Sequence, residues 1–64
     1  MTAWYRLYLM ETDGKIMAAE NLECDGDEDA VERATAAFRA SAYPLFELWQ
    51  GERLVHKGVR GGGR

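Results

Sequence analysis

Sixty-four residues with eleven acidic and eight basic side chains, a net charge of −3 and one cysteine make a single small domain and exclude the usual covalent supports for one. Cys24 cannot close a disulfide within the chain, and Cys24 with His56 falls short of the four ligands a structural zinc takes. A chain this short buries only about 60% of the surface its unfolded form exposes, so self-association is the support left open.

The first element read along the chain is a strand over Trp4 to Glu11. Tyr5, Leu7 and Leu9 fall on one face, and Trp4, Arg6, Tyr8 and Met10 on the other. Asp13-Gly14 then predicts a two-residue type I′ turn. The return strand runs from Lys15 to about Cys24, with Ile16, Ala18, Leu22 and Cys24 sharing a face; Glu20 interrupts that face and marks a bulge or an early end there.

Asp25 to Asp29 is the sharpest punctuation in the chain, and an alanine-rich helix follows over Ala30 to Ala40. Asp25 or Asp27 is placed to cap its first turn, with Glu28 completing a capping box after Asp25. The acidic cluster also suits the positive end of the helix dipole. Ala30, Val31, Ala34, Ala37, Phe38 and Ser41 form one stripe, anchored by Phe38. Pro44 stops the helix.

Leu45 to Gln50 reads as a third strand, Gly51-Glu52 as a turn, and Arg53 to Lys57 as a fourth strand. Two registers are open for this hairpin. A two-residue turn sets Trp49 opposite Leu54, whereas a three-residue loop sets it opposite Arg53, within reach of a cation–π contact. The sequence thus divides into an α+β domain over residues 1–57, in β-β-α-β-β order with the helix on one face of an antiparallel sheet, and a flexible Gly/Arg tail over 58–64.

One short helix cannot roof both faces of a sheet. The side of the first strand opposite Tyr5, Leu7 and Leu9 carries Trp4, Tyr8 and Met10, which Trp49 joins, so an apolar aromatic surface is left for a second subunit or a protein partner. Trp and Tyr are enriched where proteins meet; the competing reading has Trp4 and Trp49 packing along the sheet and shielding each other.

Three passages together, Tyr5-Arg6-Leu7-Tyr8-Leu9-Met10 followed by Asp13-Gly14-Lys15-Ile16, Leu22-Glu23-Cys24-Asp25 before Glu28-Asp29-Ala30-Val31, and Glu47-Leu48-Trp49-Gln50-Gly51-Glu52-Arg53-Leu54-Val55, resemble a group of short bacterial proteins. Those proteins are of about this length and end in a Glu-Leu-Trp-x-Gly-x-Arg-x-Val pattern. The resemblance covers most of residues 4–57 and implies the same strand-strand-helix-strand order; the group has no assigned activity. The hairpin, acidic cap and alanine-rich helix are also similar in order to strand-strand-helix antitoxin domains, by analogy of architecture alone.

Other candidate sites have structural explanations. A Cys24–His56 nucleophilic pair would need the thiol activated, but Glu23 and Asp25 flank it with charge that raises a thiol pKa. Cys24 therefore reads as a small buried apolar residue and His56 as a partly solvated strand residue. Asp25, Asp27 and Asp29 begin like a calcium loop, yet the sixth and twelfth positions are Ala30 and Ala36 where glycine and glutamate are required. Glu11 and Glu47 could form a carboxylate pair, although a domain this small rarely encloses the roughly 300 Å3 that ligand sites occupy.

Charge is divided unevenly along the chain. Residues 1–32 carry nine acids and two bases, and residues 33–64 two acids and six bases. That polarity can assist antiparallel or head-to-tail association, or simply coat solvent faces. Arg53, Lys57, Arg60 and Arg64 form a basic set whose last members sit in an Arg-Gly-Gly-Gly-Arg segment similar to those that track single-stranded nucleic acid. The expectation is a non-enzymatic module without cofactor that forms a homodimer or docks a protein partner through Trp4, Tyr8, Met10 and Trp49. The alternative is a nucleic-acid-associated or antitoxin-like accessory protein. The absence of a membrane-length apolar run or signal-like start and the lone thiol point to the cytoplasm.

Overall fold

Alternation of apolar and polar residues dictates the first strand, and the computed structural model, which describes residues 1–60, places β1 at Ala3–Met10. The chain continues through β2 (Ile16–Cys24), α1 (Asp27–Ala40), β3 (Leu45–Gln50) and β4 (Arg53–Val59). The strands form one antiparallel sheet in the order β2-β1-β3-β4. The expected β-β-α-β-β order is therefore observed, and β1 becomes an interior strand because β3 returns to pair with its free edge.

The inward faces follow from pairing. Leu7 lies opposite Leu48 and Leu9 opposite Phe46 across the β1–β3 ladder, while Tyr5 lies opposite Leu22 and Ala3 opposite Cys24 across β1–β2. On this face α1 lays down Ala30, Ala34 and Phe38, all buried. The small alanines let the helix axis approach the sheet, and the Phe38 ring packs on Phe46 at a centroid separation of 4.7 Å.

Both hairpins differ in detail from one another. At Gly51-Glu52 the turn has two residues, Gly51 supplies φ 59°, and Trp49 lies opposite Leu54, which selects the first of the two expected registers. Val55 is then the extra residue of a bulge, between Leu54 opposite Trp49 and His56 opposite Leu48. The first hairpin corrects the expectation of a two-residue type I′ turn. The Gly14 N–H donates to the Glu11 carbonyl and the Glu11 N–H to that of Lys15, so the loop is Thr12-Asp13-Gly14 with Gly14 at φ 88°. That is the three-residue loop in which a turn is followed by a left-handed glycine. The Asp13 carboxylate accepts the Lys15 N–H and holds it. The bulge expected at Glu20 lies instead at Met17, between the Leu9–Ala18 and Met10–Ile16 pairs. One extra residue reverses facing, so Ile16 joins Met10 on the outer face rather than Ala18, Leu22 and Cys24 on the inner one.

The helix also starts earlier than its alanine run. Gly26 is the N-cap, no side chain caps the first turn, and the helix opens on Asp27, Glu28 and Asp29. The expected Asp25–Glu28 capping box is absent because Gly26 takes the N-cap position and leaves Asp25 outside it, and Asp27, already inside the helix, turns its carboxylate to Tyr5 and Arg53 instead of capping. Asp29 instead receives the Asp25 N–H at 3.0 Å and the Arg33 guanidinium at 3.2 Å. The other end stops at Ser41, whose hydroxyl and N–H both donate to the Phe38 carbonyl.

β4 extends through Val59, so residues 58–60 belong to the fold and the expected boundary after Lys57 moves outward. Gly58 lies opposite Phe46 on the inner face, and a Cβ there would collide with the Phe46 ring. Only glycine lets that ring lie on the strand. Arg60 then folds back onto the helix C-terminus: Nη2 donates to the carbonyls of Phe38, Ser41 and Tyr43, and the guanidinium carbon lies 4.7 Å from the Phe38 ring centroid. Residues 61–64, the remainder of the expected tail, lie outside the described residues.

Candidate functional site

The outer face of the sheet is the surface that α1 leaves open. Reading across the strands, the register builds it in successive rows. Trp4 lies opposite Glu23. The next row is Asn21, Arg6, Trp49 and Leu54, and the next Ala19, Tyr8, Glu47 and Lys57. The last row, Ile16, Met10, Leu45 and Val59, is apolar across all four strands. Large apolar side chains stand exposed here: Trp4 at 63%, Ile16 at 52%, Leu54 at 43% and Val59 at 70%.

Trp4, Tyr8, Met10 and Trp49 thus share a face, as the alternation predicts. They are not equivalent. Trp4 stands at one end, exposed, whereas Tyr8, Met10 and Trp49 are half-buried by neighbours within the sheet. The Trp49 indole N–H donates to Glu47 Oε1 at 2.9 Å, which ties the indole to its own strand. Arg6 reaches Asn21 Oδ1 at 2.8 Å, and its guanidinium carbon lies 5.7 Å from the Tyr8 ring centroid. Thr2 donates its hydroxyl to Glu23. The face is therefore an ordered polar middle with apolar ends, and a shallow groove of about 450 Å3 runs over Arg6, Tyr8 and Trp49. Ile16, Leu45 and Val59 are the members that sequence reasoning missed: Ile16 because the Met17 bulge reverses it, Leu45 and Val59 because their facing depends on the β1–β3 and β3–β4 registers.

The basic residues are dispersed. Arg53 lies on the helix side, where both terminal nitrogens donate to Asp27 at 3.0 and 2.9 Å. Arg60 is at the opposite end of the helix, on its terminal carbonyls. Lys57 is on the reverse face, opposite Glu47, and Arg64 lies outside the described residues. The Arg53 and Arg60 positions have a simple metric origin. Fourteen helical residues span about 21 Å, and seven strand steps about 23 Å, so β4 runs beside α1 and places an arginine at each of its ends.

Asp27 joins Arg53 to the core. The Tyr5 hydroxyl donates to Asp27 Oδ1 at 2.7 Å. The hydrogen bonds from Arg53 and then from Tyr5 lower the Asp27 carboxyl to about 2, while the Asp27 hydrogen bond raises the Tyr5 phenol. The Asp25 N–H and Arg33 likewise lower Asp29. Nothing in the local sequence signals the Tyr5–Asp27–Arg53 group, since its members are separated by 22 and 26 positions.

Cys24 is buried on an edge strand, and its thiol is pushed up first by burial and then by Asp29. His56 is on the other edge strand, three strand spacings or about 14 Å across the sheet and four positions further along it, too far for the two to act together. Glu47 is engaged by the Trp49 indole. Among the described residues no group of three His, Cys, Asp or Glu side chains converges as a metal site, and no helix is long and apolar enough to cross a membrane.

No family model, curated protein or solved structure matches the chain in comparison with known proteins.

Proposed function

We propose that this protein is a non-enzymatic, cytoplasmic interaction module that pairs with a second copy of itself through the outer sheet face. The observation that carries the proposal is that four exposed large apolar side chains, Trp4, Ile16, Leu54 and Val59, all face the side of the sheet that α1 leaves open. Large apolar side chains exposed on one face of a small domain support an interaction role.

Charge supports a second copy over an unrelated partner. The charged side chains at strand positions of the face are Arg6, Lys57, Glu23 and Glu47, two of each sign, although the chain as a whole is at −3. A two-fold interface must complement itself, and a balanced face can do so without net repulsion. Four strands about 4.8 Å apart and about 23 Å long give a flat footprint of roughly 440 Å2 per subunit. The pair therefore buries on the order of 900 Å2 before side-chain relief is counted, at the low end for specific complexes. The association is accordingly weak and concentration-dependent.

Sedimentation or light scattering across a concentration series tests this directly. Mass rising from 7.2 kDa toward twice that value, and falling back in Trp4→Glu or Trp49→Glu with an unchanged circular dichroism spectrum, supports the reading. A monomer at every concentration removes it. The nucleic-acid alternative has less support, because Arg53 and Arg60 already spend donors on Asp27 and on the helix carbonyls.

A further inference from the structure

The chain has two Asp-Gly steps, Asp13-Gly14 in the first hairpin loop and Asp25-Gly26 between β2 and α1. Aspartate before glycine is a self-reactive pair. The carboxyl carbon Cγ can close a five-membered ring on the next amide nitrogen, which glycine leaves unshielded for want of a side chain. In that step the glycine nitrogen bonds to Cγ, and one carboxyl oxygen leaves as water, taking the amide proton and a proton from solvent. Water then opens the cyclic imide at Cγ, which restores aspartate, or at the main-chain carbonyl carbon, which leaves isoaspartate. No oxidant or cofactor enters, and the product has the mass of the starting chain. The ring closes readily only where the carboxyl can turn onto the nitrogen and neither group is held elsewhere.

In the hairpin loop both groups are held. The Gly14 N–H donates to the Glu11 carbonyl at 2.9 Å, and Asp13 Oδ1 accepts the Lys15 N–H at 3.0 Å, which directs the carboxyl past Gly14 to the amide beyond it. At the helix start neither is held. Among the described residues the Gly26 N–H has no acceptor and the Asp25 carboxylate no donor; Asp25 is tied instead through its own N–H, to Asp29 Oδ2 at 3.0 Å. Gly26 is extended, at φ 176°, and the space where a Cβ would stand is open. Exposure alone ranks the two steps the other way, since Asp13 and Gly14 are both exposed and Gly26 is half-buried. The geometry points to Asp25-Gly26, rather than Asp13-Gly14, as the site where the folded chain converts its own backbone to isoaspartate. The product runs the chain through Cβ and Cγ, which adds one carbon, about 1.5 Å, to the link between β2 and α1. That slack enters two residues before Asp27, whose carboxylate ties the helix start to Tyr5 and Arg53.

Ageing the full chain in warm neutral buffer, with and without guanidinium chloride, tests the assignment. Trypsin cuts after Arg6, Lys15 and Arg33 and so puts the two steps on separate peptides, residues 7–15 and 16–33. Chromatography with electron-transfer fragmentation then measures isoaspartate in each. In the folded chain it should accumulate several-fold faster at Asp25 than at Asp13. In denaturant, where the hydrogen bonds of the hairpin loop are gone, the two rates should converge. Gly26→Ala shields the nitrogen, and Asp25→Glu could close only a slower six-membered ring, so each should remove most of the product at position 25. Both variants should fold, because a Cβ at Gly26 meets nothing within 4 Å and the exposed Asp25 side chain makes no hydrogen bond among the described residues. Equal rates at the two steps in the folded chain, a faster reaction at Asp13, or a ratio that denaturant leaves unchanged would overturn the assignment.

Discussion

The two faces of the sheet are made from alternate residues of the same strands, and both are rich in large apolar side chains. On the helix side Leu7 and Leu48 are fully buried; on the reverse side Trp4 is 63% and Val59 70% exposed. Composition does not separate them, since the more exposed face has both tryptophans. What separates them is the supply of covering chain: one fourteen-residue helix roofs one face, and nothing among the described residues roofs the other. The inner face carries the fold, and the outer face is free to carry interaction.

The sharpest test of that contrast is truncation at matched positions. Leu48→Ala should cost about 2–5 kcal/mol, a large share of the stability of so small a domain, and should lower the urea midpoint severely. Gly58→Ala follows at about 1–3 kcal/mol, by overpacking against Phe46, and its thermal midpoint should fall although it adds a single methyl group. Trp4→Glu should change the stability of the dilute monomer, read from urea unfolding, by less than about 0.5 kcal/mol while lowering the mass measured at high concentration. A core-like loss in Trp4→Glu would erase the distinction between the faces.

The acid limb offers a subtler probe of the inner side. Asp27 is lowered from 3.8 to about 2 by Arg53 and Tyr5, so between these values the unfolded chain binds more protons than the folded one. Stability supplied by this carboxylate is therefore complete above about 4 and is lost as pH falls toward 2. Urea midpoints measured through that window should decline in the native protein, and the decline should be shallower in Asp27→Asn. An identical slope in the two would remove Asp27 from the account.

Much of this architecture is legible in the residues because it is locally encoded. Period-two alternation in Tyr5, Leu7 and Leu9 gives the inner face of β1, and the stripe of Ala30, Ala34 and Phe38 gives the face of α1. The outer aromatic set follows from the same alternation. What escapes is non-local. The Met17 bulge, which turns Ile16 outward, depends on how β2 meets β1. Asp27 looks like a cap because its partners Tyr5 and Arg53 are distant in sequence. Gly58 and Arg60 look like the start of a loose tail, since neither Phe46 beneath the one nor the helix carbonyls beneath the other are visible from Gly58-Val59-Arg60-Gly61 alone.

The Arg60 clasp also sets an order of events at the ribosome. β1 is made some 40 positions before its second neighbour, β3, and the side chain that closes the helix C-terminus comes later still. At roughly 5–20 residues per second, β1 waits seconds with one edge unpaired. The helix meanwhile has its terminal carbonyls open to water. The second edge of β1 is thus closed only after β3 has been made, and the helix end only after Arg60 has followed it.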